Sequence, residues 1–498
     1  MEGSNVAGEG SAASAHPLAY VRRRHGWSYQ DLARVIADHA RALGVPMAAR
    51  REKVWRWEHW GVVPEADSQR ALARALGIPA RELETRPWPR WLPAHGGMPD
   101  GLPWTAEGSL SALTSLVDDG GSDPRGFPIA DERALLDAIA DWDAARAEAG
   151  PAGLVVGAAA GGAAAAATGG GDPAARPAEP PVVAPRPGLT DASFGGGARR
   201  VPAQGAEPAM ERDDGPAAVD GTVVAWLEAG VLGLRQLDDR LGGGAVRHRV
   251  QADLRLVCGL LSRGTQPRAT QTRLLRTAAD LAQLGGWAAT DTGRHSAAQR
   301  HYLTGLRLAH TAGDRAMAVA LWGGLALQAV IAGRPQEAVA AAEAAVRAAG
   351  GAPPVVRALA ASRLGRAHAA LGAEGAFRRA AAEAERRLEA AGKDPGPPWL
   401  YWFDRAELAA QNGQSLLDLG AADEAGPLLE RALAQQDPAF LRDRSLYSAR
   451  AAEARALTGD IDGARVLGRE AARLSRQCGS PRLAAALDSL KACLDDRS

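Results

Sequence analysis

Cysteine is nearly missing from this chain of 498 residues: Cys258, Cys478 and Cys493 stand far apart, in no CxxC or Cys/His cluster. Neither a disulfide framework nor a zinc site can be built from them, which fits a reducing cytosol. Long apolar runs are missing too. None approaches the roughly 18 to 20 residues that span a bilayer, and the opening MEGSNVAGEGSAASA lacks the basic and apolar regions of an export signal. The expectation is a cytoplasmic protein with no membrane partner. Lysine, isoleucine, asparagine and phenylalanine are scarce beside abundant Ala, Arg, Gly, Leu and Pro, a bias of GC-rich coding more than of physics. Catalytic motifs are also wanting: there is no nucleophile elbow, HExxH, phosphate loop or coherent carboxylate pair. His295, His301 and His310 are spaced six and nine residues apart, which does not bring them to one metal, so they read as surface imidazoles. No enzymatic activity, cofactor or metal is expected.

What is present is length, apolar content and an uneven charge. With 46% hydrophobic residues the chain can form two or three domains with a sizeable core. Its formal net charge is zero, yet residues 16 to 95 hold 14 Lys/Arg against 8 Asp/Glu, a net of +6, so the remainder carries −6. Such asymmetry suggests a segment that binds a polyanion. Arg50, Arg51, Lys53 and Arg56 flank or enter the stretch VWRWEHWG, residues 54 to 61, which carries three tryptophans in eight positions.

Residues 1 to 14 are small and polar and read as a disordered tail. From 15 to 95 the pattern predicts a small helical domain. HPLAYVRRRHG gives a first helix with Leu18, Val21 and Tyr20 inward. Ser28 caps the second, with Asp31 completing an approximate capping box and Leu32, Val35, Ile36 and Leu43 as its buried stripe. The third helix runs from about Arg50 to Trp60, and a fourth, PEADSQRALARALG, turns Leu72, Ala75 and Leu76 inward. RPWPRWLP (86 to 93) then straps Trp88 and Trp91 onto the bundle. Residues 96 to 149 form a connecting region with one clear amphipathic helix. The Ala/Gly/Pro-rich run from 150 to 218 cannot bury enough apolar surface to offset its backbone entropy and reads as a flexible linker.

Residues 219 to 498 read as helix throughout, and they repeat. Five, nine and twelve positions after a turn glycine stand small or core residues: Ala298, Tyr302 and Gly305 after Gly293; Ala338, Ala342 and Ala345 after Gly333; Ala425, Leu429 and Ala432 after Gly420; Ala464, Gly468 and Ala471 after Gly459. Gly372 fits loosely, with Phe377, Ala381 and Ala384. The glycines are 40, 39, 48 and 39 residues apart. Small residues there let the second helix of a pair approach the first closely, which predicts an all-α solenoid of about six helical hairpins. Within it, WLYWF at 399 to 403 reads as helical, with Trp399 and Phe403 on one face and Tyr401 and Trp402 off it. One buried stripe cannot absorb all four, so they are candidates to line a partner groove, the alternative being a helix packed on two sides. Trp287 and Trp322 read as core.

At 100° per residue, Val54 and Trp57 fall on one side of the third helix, with Glu58 at its edge. Glu52, Arg56 and His59 fall opposite, and Lys53, Trp55 and Trp60 on the flanks. Trp57 suits the anchor of a small core. The positive residues form either a solvated face or a polyanion contact, and a capped helix followed by a basic one is the helix-turn-helix plan, in which the later helix enters the DNA major groove. GWSYQDLA (26 to 33), VWRWEHWGVVP (54 to 64) and QRALARALGIP (69 to 79) resemble the signature segments of XRE-type, phage-repressor-like helix-turn-helix regulators, in the right order. The connection between the second and third helices is longer than in the compact family pattern, and the usual Glu-x-Gly ending is one residue longer here.

That resemblance implies that Val54, Trp57 and Glu58 hold the recognition helix to the bundle, that Arg51, Glu52 and Arg56 contact base edges, and that Ser28, Tyr29, Arg50 and Lys53 contact the DNA backbone. The segment 278 to 314 and the glycine phasing resemble long actinobacterial regulators that join such a head to tetratricopeptide-like (TPR-like) repeats. The implied protein is a sequence-specific transcriptional regulator, a homodimer on double-stranded DNA, whose repeats bind a protein or peptide effector or mediate dimerisation. A TPR-like scaffold that does not bind DNA is the competing reading.

Overall fold

The computed structural model describes residues 16–92, 102–118, 132–148 and 219–496, apart from 77, 79, 86, 90, 265, 393 and 395. The expected tail at 1 to 14 and linker at 150 to 218 lie outside these. The described residues are all-helical, with no strand, and none of their helices is long and apolar enough to cross a membrane.

The head contains α1 (Pro17–Arg24), α2 (Tyr29–Ala42), α3 (Arg51–His59), α4 (Ala66–Ala75) and α5 (Ala80–Thr85). Its core joins Leu18, Leu32, Ile36, Val54, Trp57, Leu72, Trp91 and Leu92. The capping box is complete: Asp31 N–H donates to Ser28 Oγ at 3.1 Å and Ser28 N–H to the Asp31 carboxylate at 3.0 Å. Two orphan donors of the helix start are thereby satisfied. The α2 stripe shifts from the expected one, because Leu43 is the C-cap and stays 42% exposed while Val35 is half-buried. Ala33, Ala37 and Ala40 complete the buried face instead. The residues that lengthen the α2–α3 connection are divided between extra turns of α2 and an extended link at 43–50, entered through Gly44 at φ +76°. Trp91 straps the bundle as expected, its indole N–H donating to Gln69 Oε1 at 2.9 Å.

Residues 102–118 and 132–148 form two helices, α6 (Ala106–Asp118) and α7 (Glu132–Glu148), whose buried faces belong to the repeat core. Ser109 Oγ donates to the Arg307 carbonyl at 3.0 Å, the Arg307 guanidinium lies 4.5 Å over Trp104, and Trp142 meets Trp322 edge-on at 5.7 Å. The stretch read as a connector is therefore integral to the repeat domain.

Six hairpins follow: α8 (Gly221–Leu241) with α9 (Gly243–Ser262), α10 (Arg268–Asp291) with α11 (His295–Thr311), α12 (Arg315–Ile331) with α13 (Pro335–Ala348), α14 (Pro354–Ala370) with α15 (Glu374–Ala391), α16 (Arg405–Asp418) with α17 (Ala422–Gln435), and α18 (Leu441–Leu457) with α19 (Ile461–Ser475). A last helix, α20 (Pro481–Asp495), packs on α18 and α19. The five phasing glycines all sit between the helices of a pair with positive φ, a conformation that costs a side chain but not glycine. Ala298, Ala338, Ala342, Ala345, Ala425, Ala464 and Ala471 are fully buried, which is the close approach the spacing predicts.

The first hairpin also meets the last. Helix α8 contacts α18, Gly479 N–H donates to the Leu241 carbonyl at 3.3 Å, and Ser480 Oγ donates to Asp291 at 2.7 Å. The solenoid thus closes on itself, with its first helices of each pair turned inward. The three histidines are not surface groups. All are at least half-buried, and His301, lodged against Gly285 of α10, is pushed down to about 3 by burial and the nearby Arg300 charge.

A basic helix face and an enclosed polar cavity

Helix α3 divides its residues as its periodicity demands. Val54, Trp57 and Glu58 are buried, while Arg50, Arg51, Glu52 and Arg56 are exposed and Lys53 is half-buried. Glu58 is held by Arg22 of α1, whose Nε and Nη2 donate to its two oxygens at 2.8 and 3.1 Å. The same guanidinium lies 4.0 Å over the Tyr29 ring, so α1, α2 and α3 are clamped through one cation. Ser28 is occupied by its cap and leaves the first turn of α2 facing outward beside Tyr29.

On the outer face Arg51 Nε donates to Glu52 at 3.1 Å, and Lys53 approaches Glu65 at 3.5 Å. These exposed pairs are weak and exchange readily for a polyanion. The surplus tryptophans form an exposed aromatic ledge: Trp55 stacks on His59 at 4.6 Å, Trp60 is 64% exposed, and Arg56 lies 5.6 Å over the Trp60 ring. Only Trp57 among the three tryptophans of VWRWEHWG is a core anchor.

The second site is inside the ring, where a cavity takes residues from all six inward helices. Helix α8 supplies Arg235, Asp238 and Asp239; α10 supplies Gln283 and Trp287; α12 supplies Gly324; α14 supplies Arg363; α16 supplies Glu407 and Gln411; α18 supplies Arg442, Asp443 and Tyr447. Trp399, Tyr401 and Trp402, with Tyr302 of α11 and Arg482 of α20, add to the wall. WLYWF is not a helical stripe. It is a 3₁₀ turn (Pro398–Leu400) followed by a bend, because Pro397 and Pro398 precede it and Asp404, donated to by Glu407 N–H at 2.8 Å, starts α16 immediately after. This inserted segment is what stretches one repeat spacing to 48. Phe403 points away into the core, meeting Trp402 edge-on at 5.6 Å.

Around the seam the charges are paired. Arg442, 3% exposed, donates to Asp238 at 2.5 Å and lies 3.3 Å from Asp443, and Arg482 lies 3.3 Å from Asp443. Both guanidiniums stand about 5 Å over Trp287, at 4.9 and 5.0 Å, and the Trp287 indole donates to Asp238 at 2.9 Å. Trp287, expected in the core, is therefore a wall of the cavity, whereas Trp322 is fully buried. Arg235 is paired with Asp280, and Tyr401 donates to Asp239. Burial pushes Asp239 up to about 7, and burial with the nearby Asp443 charge pushes Glu407 up to about 7. Glu407 accepts from Gln411 at 2.7 Å and from the Tyr447 hydroxyl at 2.7 Å.

No protein-family model and no curated protein matches this chain. Its chemistry has to be read from the two sites alone. Of the four aromatics read from the sequence as a partner groove, Trp399, Tyr401 and Trp402 line this cavity and Phe403 does not, while its charged lining was missed, since Arg235, Arg363, Arg442 and Glu407 stand in helices crowded with similar residues. A usable signal was the pair of double glycines, LGGW at 284 to 287 and LWGG at 321 to 324.

Proposed function

We propose that the chain is a sequence-specific DNA-binding transcriptional regulator of the XRE helix-turn-helix type, with a TPR-like domain that receives an effector. The observation that carries this reading is the division of α3 into a buried side of Val54, Trp57 and Glu58 and an exposed side of Arg51, Glu52 and Arg56. Arginine bonds bidentately to guanine O6 and N7, and Glu52 can accept from cytosine N4, so one face can read base edges. Arg50, Lys53 and the start of α2 at Ser28 and Tyr29 suit phosphate contacts, as helix N-termini and cations do.

A single head of this size offers little contact area, so the functional unit is a homodimer on two half-sites. The closed ring changes what its effector would be. An open concave surface would take an extended peptide or a partner helix, whereas an enclosed cavity favours a small molecule or the end of a short chain. The test is selection of random duplex DNA on the intact protein, followed by light scattering of the complex. An enriched inverted repeat bound by two copies supports the proposal. Binding without sequence preference, or none, would favour the scaffold reading.

A further inference from the structure

Three of the four cavity arginines have carboxylate partners, as described. Arg363 does not. It is 7% exposed, its Nη1 is buried without a hydrogen-bond partner, and no carboxylate among the described residues reaches ion-pair distance. Its only charge-related neighbour in contact is the ring of Trp402, 5.5 Å away. The Glu407 carboxylate, beyond ion-pair distance, offsets part of its desolvation cost, but burial outweighs it and lowers the proton affinity of Arg363.

A second unsatisfied group faces the same space. Tyr302 comes from α11, an outer helix, yet its ring passes between α10 and α12 to reach the cavity. It can do so only because residues 286 and 324 are glycines: a Cβ at either position would come within 2.5 Å of the ring. The hydroxyl at its tip is fully buried and makes no well-formed hydrogen bond, its nearby polar neighbour being the Thr290 hydroxyl. Two donors thus line one cavity without a well-formed bond to an acceptor, an arrangement that native interiors rarely keep without a use.

We propose that Arg363 and Tyr302 are the recognition point for the carboxylate of a ligand whose apolar body lies against Trp287, Trp399 and Trp402. A single negative charge matches the single unpaired guanidinium. A dianionic phosphate would instead face Asp238, Asp239, Glu407 and Asp443 with only one free cation to hold it. The carboxylate can come from a small organic acid or from the C-terminus of a short peptide. The assignment rests on reading the repeat domain as the effector-receiving part of the protein.

The experiment is calorimetric titration of the full-length protein with phenylacetate and with the tripeptide glycyl-glycyl-phenylalanine, each beside its amide. Binding of either acid, at least ten-fold tighter than its amide, is expected, and which of the two binds distinguishes the sources. Arg363→Gln should lose at least ten-fold, Arg363→Lys should recover part of that, and Tyr302→Phe should lose a few-fold. A second measurement guards against a folding defect. Because Arg363 is an incompletely compensated charge, Arg363→Met should raise the melting temperature by roughly a few degrees while abolishing binding. Failure of both acids to bind, equal binding of acid and amide, or a lowered melting temperature for Arg363→Met would each overturn the assignment. DNA affinity measured in the same samples separates the two readings: an acid that binds through Arg363 without altering DNA affinity upholds the cavity assignment and defeats the regulator.

Discussion

In the head, Glu58 is buried behind two hydrogen bonds from Arg22 while the basic residues and two tryptophans of α3 point outward; in the repeat domain, four arginines, four carboxylates and three tryptophans line an internal space. The same residue types serve opposite surfaces. A short helix on a small core has room for one large anchor, so its remaining aromatics and cations are left for a partner that comes from outside. A closed ring has an inner surface as well as an outer one, and most polar groups there are tolerated because they satisfy one another, Arg363 and Tyr302 being the exceptions.

The largest effect should come from breaking the seam charge network. Arg442→Ala leaves Asp238 buried without its cation, at about 3 to 5 kcal/mol, and should speed amide exchange in α8 and α20 together. Unchanged exchange in those helices would mean that the ring is held by apolar contacts alone. Trp57→Ala should cost the head roughly 3 to 5 kcal/mol as a buried aromatic, with loss of DNA binding and no change in the repeat's exchange pattern, since the two cores share no residues. A parent-like melt of the head would contradict this.

A smaller effect is expected on the outward face. Arg56→Ala should cost on the order of 1 to 3 kcal/mol on the preferred site and relax selectivity at one base pair. An equal fall on specific and random duplexes would make Arg56 a phosphate contact. The smallest effect concerns pH. Glu407 and Asp239 sit near 7 in the folded protein, above ordinary values of 4.5 and 3.8, so between those limits the folded state holds protons that the unfolded chain has released. The contribution of these two groups to the stability of the repeat is therefore greatest below pH 4, falls as the pH rises toward 7, and is flat above. The fall should be on the order of 1 kcal/mol once the solvated cavity relaxes the burial penalty. Melts from pH 5 to 8 should show it, and Glu407→Gln should flatten it; an unchanged slope in that variant would assign the titration elsewhere.

Much of the architecture was legible in the sequence because it rests on local rules. The capping box at Ser28, the two sides of α3 and the hairpin phasing each follow from residues within a few turns of one another. Closure was not legible, since it depends on the small rotation accumulated over six hairpins, which no single spacing encodes. The 399 to 403 segment was misread although its signals were present: two prolines before it and a capping aspartate after it leave no room for a helix. Arg363 could not be distinguished in the sequence from Arg366, three residues on, whose guanidinium is paired with Asp418.

The meeting of α8 with α18 and with the turn before α20 also limits how such a protein can change its length. An open array gains or loses a hairpin by duplication or deletion at modest cost, since each unit touches only its neighbours. Here a seventh hairpin, or a missing sixth, would carry Asp238 and Arg442 out of register and pull apart the Asp291–Ser480 bond. The number of hairpins is fixed by the circle they complete, as blade number is in a propeller, so relatives sharing this seam should differ in their loops and keep the count.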